Sequence, residues 1–416
     1  MTTRFPTYNE IEDFFYKNYN LAYLYEEGLE DYFVKYDRDL SIIFNEIYSL
    51  KPIYYNWKGV EFPVFIHNNT FSLYNEDGKI SFDIYLNVFL FLSGWLEIKN
   101  TARDKHGRFP YNESLQKKYN FVSIPIVNIY FELLYEVALK NEVLIEKIEF
   151  KESIIFTHDI DQFRSGWFEN IQYHLNHFSF KSLFQIPLNI FKKTLKLKDD
   201  YLKGMEKMLE IDEENNVETI SFLLMKKSHQ NADFDIFDNR YKEIIEKTIA
   251  KQEIGIHPSY ETFNNEKLYL EDVKALDNLS QKETKKSRQH FLRYDMALTP
   301  KIIEKSSIEE DYTLGFAEQY GFRNGIANPF YLYNFETKQA FHFKSIPLVF
   351  MDVSLINYEQ EKTRKELFEE VKEFLKTTTK DYNCHFSVLF HNSVFSNVKY
   401  KGFTEFYKDI ILSLNN

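Results

Sequence analysis

The chain has 416 residues, 44% hydrophobic and 27% charged, which leaves room for two or three folded domains and excludes a disordered polymer. Its 51 basic and 63 acidic side chains give a formal charge of −12, excluding the broad positive face that nucleic-acid backbones require. The single cysteine, Cys384, excludes a disulfide framework and reads as a small core residue.

The start, "MTTRFPTYNEIEDFF", has no basic stretch leading into an apolar one, so no signal peptide and a cytoplasmic location are expected. Next, "EFPVFI" and "TFSLYNEDGKISFDI" predict strands, the second folded into a hairpin at Asp77-Gly78. The most apolar window, Ile84 to Ile98, is broken by Asn87 and Glu97. It is shorter than the roughly 20 residues of a membrane-spanning helix and predicts a buried one. Pro125 then opens "IVNIYFELLYEVALK", whose apolar residues recur at helical spacing. Charges cluster from Glu146 to Glu152. A boundary there gives a smaller mixed α/β domain over 1–148 and a second domain over 149–416.

From Ile154 the pattern changes. Short apolar runs end in polar residues: "SIIFTHDID", "ETISFLLMK", "EIGIHPSY", "QHFLRYD", "DYTLGF", "SIPLVFMD" and "CHFSVLFHN". Helical spacing separates them, as in "DNRYKEIIEKTIAKQ" and "EQEKTRKELFEEVKEFLKTTTK". Strands alternating with helices predict a parallel sheet, closed or nearly closed into a barrel. One segment departs from the alternation. Asn170 to Lys198 carries five lysines and no acid, and predicts a basic helical insertion over about 166–205. Such a segment either packs on the barrel or rests as a peripheral element on an anionic membrane.

In barrels the reacting groups sit where strands end. The first run ends in His158, Asp159 and Asp161; the third ends in His257, with Ser259, Tyr260 and Glu261 following. Then come Arg288, His290 and Arg293, then Asp311 and Asp352, and on the last run His391-Asn392. Burying two carboxylates and an imidazole within four residues is costly unless they are paired or hold a metal. Acids and imidazoles recurring at one end of one sheet point to a metal-and-base site.

The order of "THDxD", "GIHPSY", "RQHFLR", "GFRxG" and "HN" resembles the polysaccharide deacetylase (NodB-homology, carbohydrate esterase 4) superfamily. It is similar to a bacterial branch in which an uncharacterised domain, here carrying "HGRFPYNESL", precedes the barrel. The resemblance implies a distorted (β/α)7-type barrel that uses a divalent metal, zinc in the first instance, to hydrolyse N-acetyl groups from sugars. It makes Asp159 the general base, Asp161 and His257 metal ligands, and His391 the acid that protonates the leaving amine. Arg293 in "FLRYD" would orient the base. Asp311 would pair with that arginine on the substrate side of the site, and Arg323 in "GFRNG" would contact substrate or phosphate. The usual second histidine, four residues after the first, is here Glu261. Glu261 and His290 therefore stand as alternative third ligands. In a regular strand His290 and Arg293 would face opposite sides.

The implied activity is metal-dependent hydrolysis of a non-peptide amide, deacetylating an N-acetylated sugar or a nucleotide- or lipid-linked glycan precursor. The alternative is a catalytically silent carbohydrate-binding protein on the same fold, which the missing second histidine permits.

Overall fold

The computed structural model describes residues 5–25, 29–36, 40–195, 197–228, 232–357, 362–396 and 398–414. Met1 to Arg4 of the N-terminal reading and Lys196 of the basic segment lie outside these. The chain forms two compact units. One comprises Met1–Ile154, Leu292–Val349 and Thr378–Phe386; the other comprises Ile155–Phe291, Phe350–Thr377 and Ser387–Asn416.

In the first unit the helix Ile84–Leu92 is buried at every position, as its composition predicts. Asn87 is a connector rather than an interruption. Its Oδ1 accepts from the N–H groups of Phe65 and Ile66, while its amide donates to the carbonyls of Ile66 and Asp83. A buried amide with its bonds made costs little. The helix Ile126–Lys140 forms where predicted, with Pro125 at its N-cap. The hairpin lies elsewhere than expected: Ile53–Trp57 pairs with Val60–Val64 across Lys58 and Gly59, both at positive φ. That is the mirror-image turn hairpins favour, made with a lysine that gives no turn signal. The predicted hairpin at Asp77-Gly78 reduces to a single bridge between Tyr74 and Ile80.

The main sheet has eight strands: β1 (Ile154–Ile160), β2 (Thr219–Leu224), β3 (Glu253–His257), β4 (Lys286–Ser287), β5 (Glu310–Asp311), β6 (Lys344–Ser345), β7 (Leu348–Met351) and β8 (Phe386–His391). Their order is β6-β5-β4-β3-β2-β1-β8-β7, with β1 to β4 paired in parallel. The two edge strands fix its curvature. A flat sheet of this width would hold its edges roughly 34 Å apart. Yet Ser345, ending one edge strand, and Leu348, opening the other, are three residues apart in the chain, a reach of at most about 11 Å. The sheet must therefore curl on itself, which is the barrel expected. Within β3, Gly255 is required by close packing, since a Cβ there would lie 2.4 Å from the Phe222 ring on β2.

Two expectations are corrected. "QHFLRYD" is not a strand: β4 stops at Ser287, and His290–Leu292 is a 3-10 turn with Phe291 at φ 61° and Leu292 at φ 53°. "DYTLGF" contributes only its first residue to a strand, with β5 spanning Glu310–Asp311.

Candidate active site

Every residue of β1 is buried, and the polar ones alternate between its faces. His158, on one face, is scaffold. Its Nδ1 donates to the Phe390 carbonyl at 3.0 Å, and its Nε2 lies 3.2 Å from Asp212. The Asp212 carboxylate also accepts from the Tyr407 hydroxyl and the Gln252 amide, each at 2.7 Å. Thr157, Asp159 and Asp161 share the other face, and there the chemistry gathers.

Asp161, one residue past β1, His257 from β3 and His290 from the turn after β4 bring ligand atoms within 4.8 Å of one another. His257 Nε2 stands 3.2 Å from Asp161 Oδ1, and His290 Nε2 stands 3.7 Å from Asp161 Oδ2. All three side chains are buried, yet Asp161 Oδ1, His257 Nε2 and both ring nitrogens of His290 lack a hydrogen-bond partner among the described residues. Orphaned buried donors and acceptors are costly, and a divalent cation satisfies such a set. The residues present fit a metal. The His257 ring is turned for ligation because its Nδ1 donates to the Arg288 carbonyl at 2.6 Å. Burial holds His290 below its ordinary pKa, which favours the neutral imidazole that binds metals. Burial alone would favour protonated Asp161, but the facing imidazoles of His257 and His290 hold its carboxyl well below the usual range. The alternative ligand, Glu261, is exposed and accepts from the Ser228 hydroxyl at 2.7 Å.

Asp159 lies beside this cluster, its Oδ2 3.6 Å from His257 Nε2. The guanidinium against it belongs to Arg288. That side chain is fully buried and reaches Asp159 Oδ1 at 3.1 Å and the Thr157 hydroxyl at 2.7 Å, with Phe222 beneath it at 4.5 Å. Arg293, expected beside Asp159, instead donates through Nε to the His106 carbonyl at 2.7 Å. The left-handed turn at Phe291 and Leu292 breaks the regular strand in which His290 and Arg293 were expected to face opposite sides.

His391 closes the cluster, its Nε2 3.7 Å from Asp161 Oδ2. Asp352, one residue past β7, accepts from both the His391 ring Nδ1 and the His391 backbone N–H, each at 2.7 Å. Burial works against the imidazolium, but the adjoining Asp352 carboxylate pushes the ring up to about 10. Asp352 carried only one signal in the sequence, its place at a strand end. Two expected substrate residues are differently engaged. Arg323 is buried in a two-pronged pair with Glu97, at 2.7 and 2.6 Å, and donates to the Gly315 carbonyl at 3.0 Å. Its forked donors are spent on the protein. Asp311 is fully buried and accepts from the Thr313 N–H and hydroxyl, each at 3.1 Å.

Residues 1–143 match a family of unknown function, DUF7033. Among curated proteins the sequence has no match. In three dimensions the chain is similar to a Mycobacterium smegmatis protein assigned as a polysaccharide deacetylase, with 13% identity and a TM-score of 0.40 over 64% of this chain and 85% of that one. It is similar to a Pseudomonas aeruginosa protein with the same assignment, with 11% identity and a TM-score of 0.40 over 62% and 83%. It is also similar to a CE4 family pseudoenzyme of Bacillus anthracis, with 11% identity and a TM-score of 0.31 over 64% and 62%.

Proposed function

We propose that the chain is a metal-dependent amide hydrolase that deacetylates an N-acetylated sugar or glycan precursor. The observation that carries this reading is one buried cluster holding three unsatisfied metal donors, a carboxylate oriented by arginine and an imidazole charged by Asp352. Asp161, His257 and His290 would hold the ion, and two imidazoles with a carboxylate suit zinc. A cation bound there would supply Lewis acidity to the acyl carbonyl and acidify a water. The remaining work falls to the chain. Asp159 takes the proton of the attacking water, with Arg288 fixing its orientation. His391 then delivers a proton to the departing nitrogen, which is a poor leaving group until protonated. The order of the sequence motifs supports the acetyl-sugar class, whether free or nucleotide- or lipid-linked. In this reading the protein acts in the cytoplasm, and residues 1–148 form an N-terminal mixed α/β domain, a reading that the family match over 1–143 supports, with Leu292–Val349 and Thr378–Phe386 packed into the same compact unit.

The test measures bound metal and acetate release on the same preparations, across N-acetyl sugars and their nucleotide conjugates. Asp159→Asn should keep the metal and lower turnover by roughly 10²–10⁴, the usual share of a positioned base. Asp161→Ala should lose metal and turnover together. A zinc-loaded wild type that binds sugars but releases no acetate would establish the silent binding protein instead.

A further inference from the structure

Two helices of the second unit, Gly166–Asn176 and Ser182–Thr194, form a hairpin with its polarity reversed. The buried side chains of the second helix are Ser182 and Asn189. Its apolar residues face outward: Phe180 at the turn is 77% exposed, Phe184 65% and Phe191 56%, and Leu183, Ile190 and Leu195 are exposed with them. Single exposed apolar residues are ordinary, but a contiguous face of them marks a surface that is covered in use. Among the described residues no helix is long and apolar enough to cross a membrane.

Charge indicates what covers it. The five lysines and absent acids of Asn170 to Lys198 stand out in a chain of net charge −12. Beside the hairpin lies a cavity of about 410 Å³, lined by Arg164, Lys192, Lys193, Lys198 and Arg240 against the acids Asp199 and Asp200. Some of this charge is matched: Lys192 sits 3.7 Å from Asp200, Lys198 pairs with Glu206, and Arg240 pairs with Asp238. Lys193 lies 4.6 Å over the Trp167 ring. The lining keeps a positive excess next to an apolar face, which is the composition of an element lying in the boundary layer of an anionic bilayer.

The hairpin is tied to the end of the sheet that carries the candidate site. Its first helix begins five residues after Asp161, and Asn170 Oδ1 accepts from the Val398 N–H at 3.3 Å, on the segment that follows His391. The helix after it, Asp200–Glu214, packs so closely on that segment that a Cβ at Gly204 would lie 2.5 Å from the Asn392 carbonyl oxygen.

We propose that this hairpin docks the protein on an anionic lipid surface, its aromatic face in the headgroup boundary and its basic flank on the headgroups. The proposal stands independently of the hydrolase reading. The full chain would be sedimented with vesicles of phosphatidylcholine alone and with phosphatidylglycerol added. Binding should be at least about tenfold tighter to the anionic vesicles and weaken as salt rises. The Phe180→Asp/Phe184→Asp/Phe191→Asp variant should lose binding while keeping its circular dichroism and melting temperature, because these rings are exposed. Lys192→Glu/Lys193→Glu should lower binding to anionic vesicles only. Equal binding to both vesicle types, no binding to either, or full binding by the triple variant would overturn the proposal. So would loss of a wild-type dimer in the triple variant without any vesicle binding, which would assign the face to a second copy of the chain.

Discussion

Replacing His290 with alanine removes one of three converging donors and should weaken zinc binding by at least about 100-fold, since loss of an outer-shell partner alone costs 10- to 100-fold. That is about 2.8 kcal/mol. The two donors left, Asp161 Oδ1 and His257 Nε2, stand 3.2 Å apart and hold a divalent ion weakly. Linkage makes the effect visible in a melt. Zinc at 100 times the wild-type Kd stabilises the wild type by about 2.7 kcal/mol, whereas the same zinc is no more than the variant's Kd and stabilises it by about 0.4 kcal/mol. The metal-free melts show that both proteins fold, and competition against a chromophoric chelator gives the affinities. Glu261→Ala is the matched control. Its carboxylate is exposed and engaged with Ser228, so zinc affinity should stay within about twofold, the range of an ordinary surface substitution. A zinc shift lost in Glu261→Ala and kept in His290→Ala would refute the donor set.

Arg288→Met strands the buried Asp159 carboxylate and should cost about 3–5 kcal/mol in a urea titration, while Arg288→Lys should fold, bind zinc and turn over more slowly. Arg323→Met should be destabilised by a similar amount, about 3–5 kcal/mol, because Glu97 is left buried and unpaired; a raised KM in the folded variant would restore the substrate role first given to Arg323. Asp83 supplies a pH test. It caps the helix Ile84–Leu92, accepting from the N–H groups of Leu86 and Tyr36 and the Tyr8 hydroxyl, while burial pushes its carboxyl from 3.8 up to about 6. With the folded value above the unfolded one, its contribution is full below pH 3.8 and lost as pH rises through about 6. Asp83→Asn should therefore gain on the wild type from about pH 4 to 7, by up to about 3 kcal/mol, and a difference that is flat or falls with pH counts against this assignment.

The strands that were legible are those buried along nearly their whole length. β1, β2 and β8 are strands of six or seven residues whose short apolar runs end in polar residues, and their near-complete burial is that of a sheet covered on both faces. β4, β5 and β6 are two residues long each and exist because neighbouring strands supply their partners, so no local pattern announces them. The turn at His290–Leu292 was opaque for a related reason. It sets a phenylalanine and a leucine in the left-handed region, which both residue types disfavour. Only surrounding structure can hold it there, as is common beside functional groups. An apolar run read without that structure predicts a strand there.

The same turn explains how the donor set survives without its second local histidine. Glu261 follows His257 by four residues, and only a helical turn would bring the two to one face. The chain is extended at Ser259, and the short 3-10 turn that follows leaves Glu261 in solvent. His290 arrives by another route. β3 pairs in parallel with β4, Ile256 beside Ser287, so the residues just past both strands emerge at the same end of the sheet. A neighbouring strand end thus supplies the nitrogen that helical spacing would otherwise provide. This bears on whether the site is relocated or abandoned. In an abandoned site nothing opposes drift toward internal hydrogen bonds that satisfy each buried polar atom. Here the scaffold histidine, His158, has both nitrogens engaged, and His391 is held by Asp352. Asp161 Oδ1, His257 Nε2 and the His290 ring nitrogens are among the buried side-chain atoms that have no hydrogen-bond partner among the described residues, and one ligand atom from each of the three residues lies where a cation would be held.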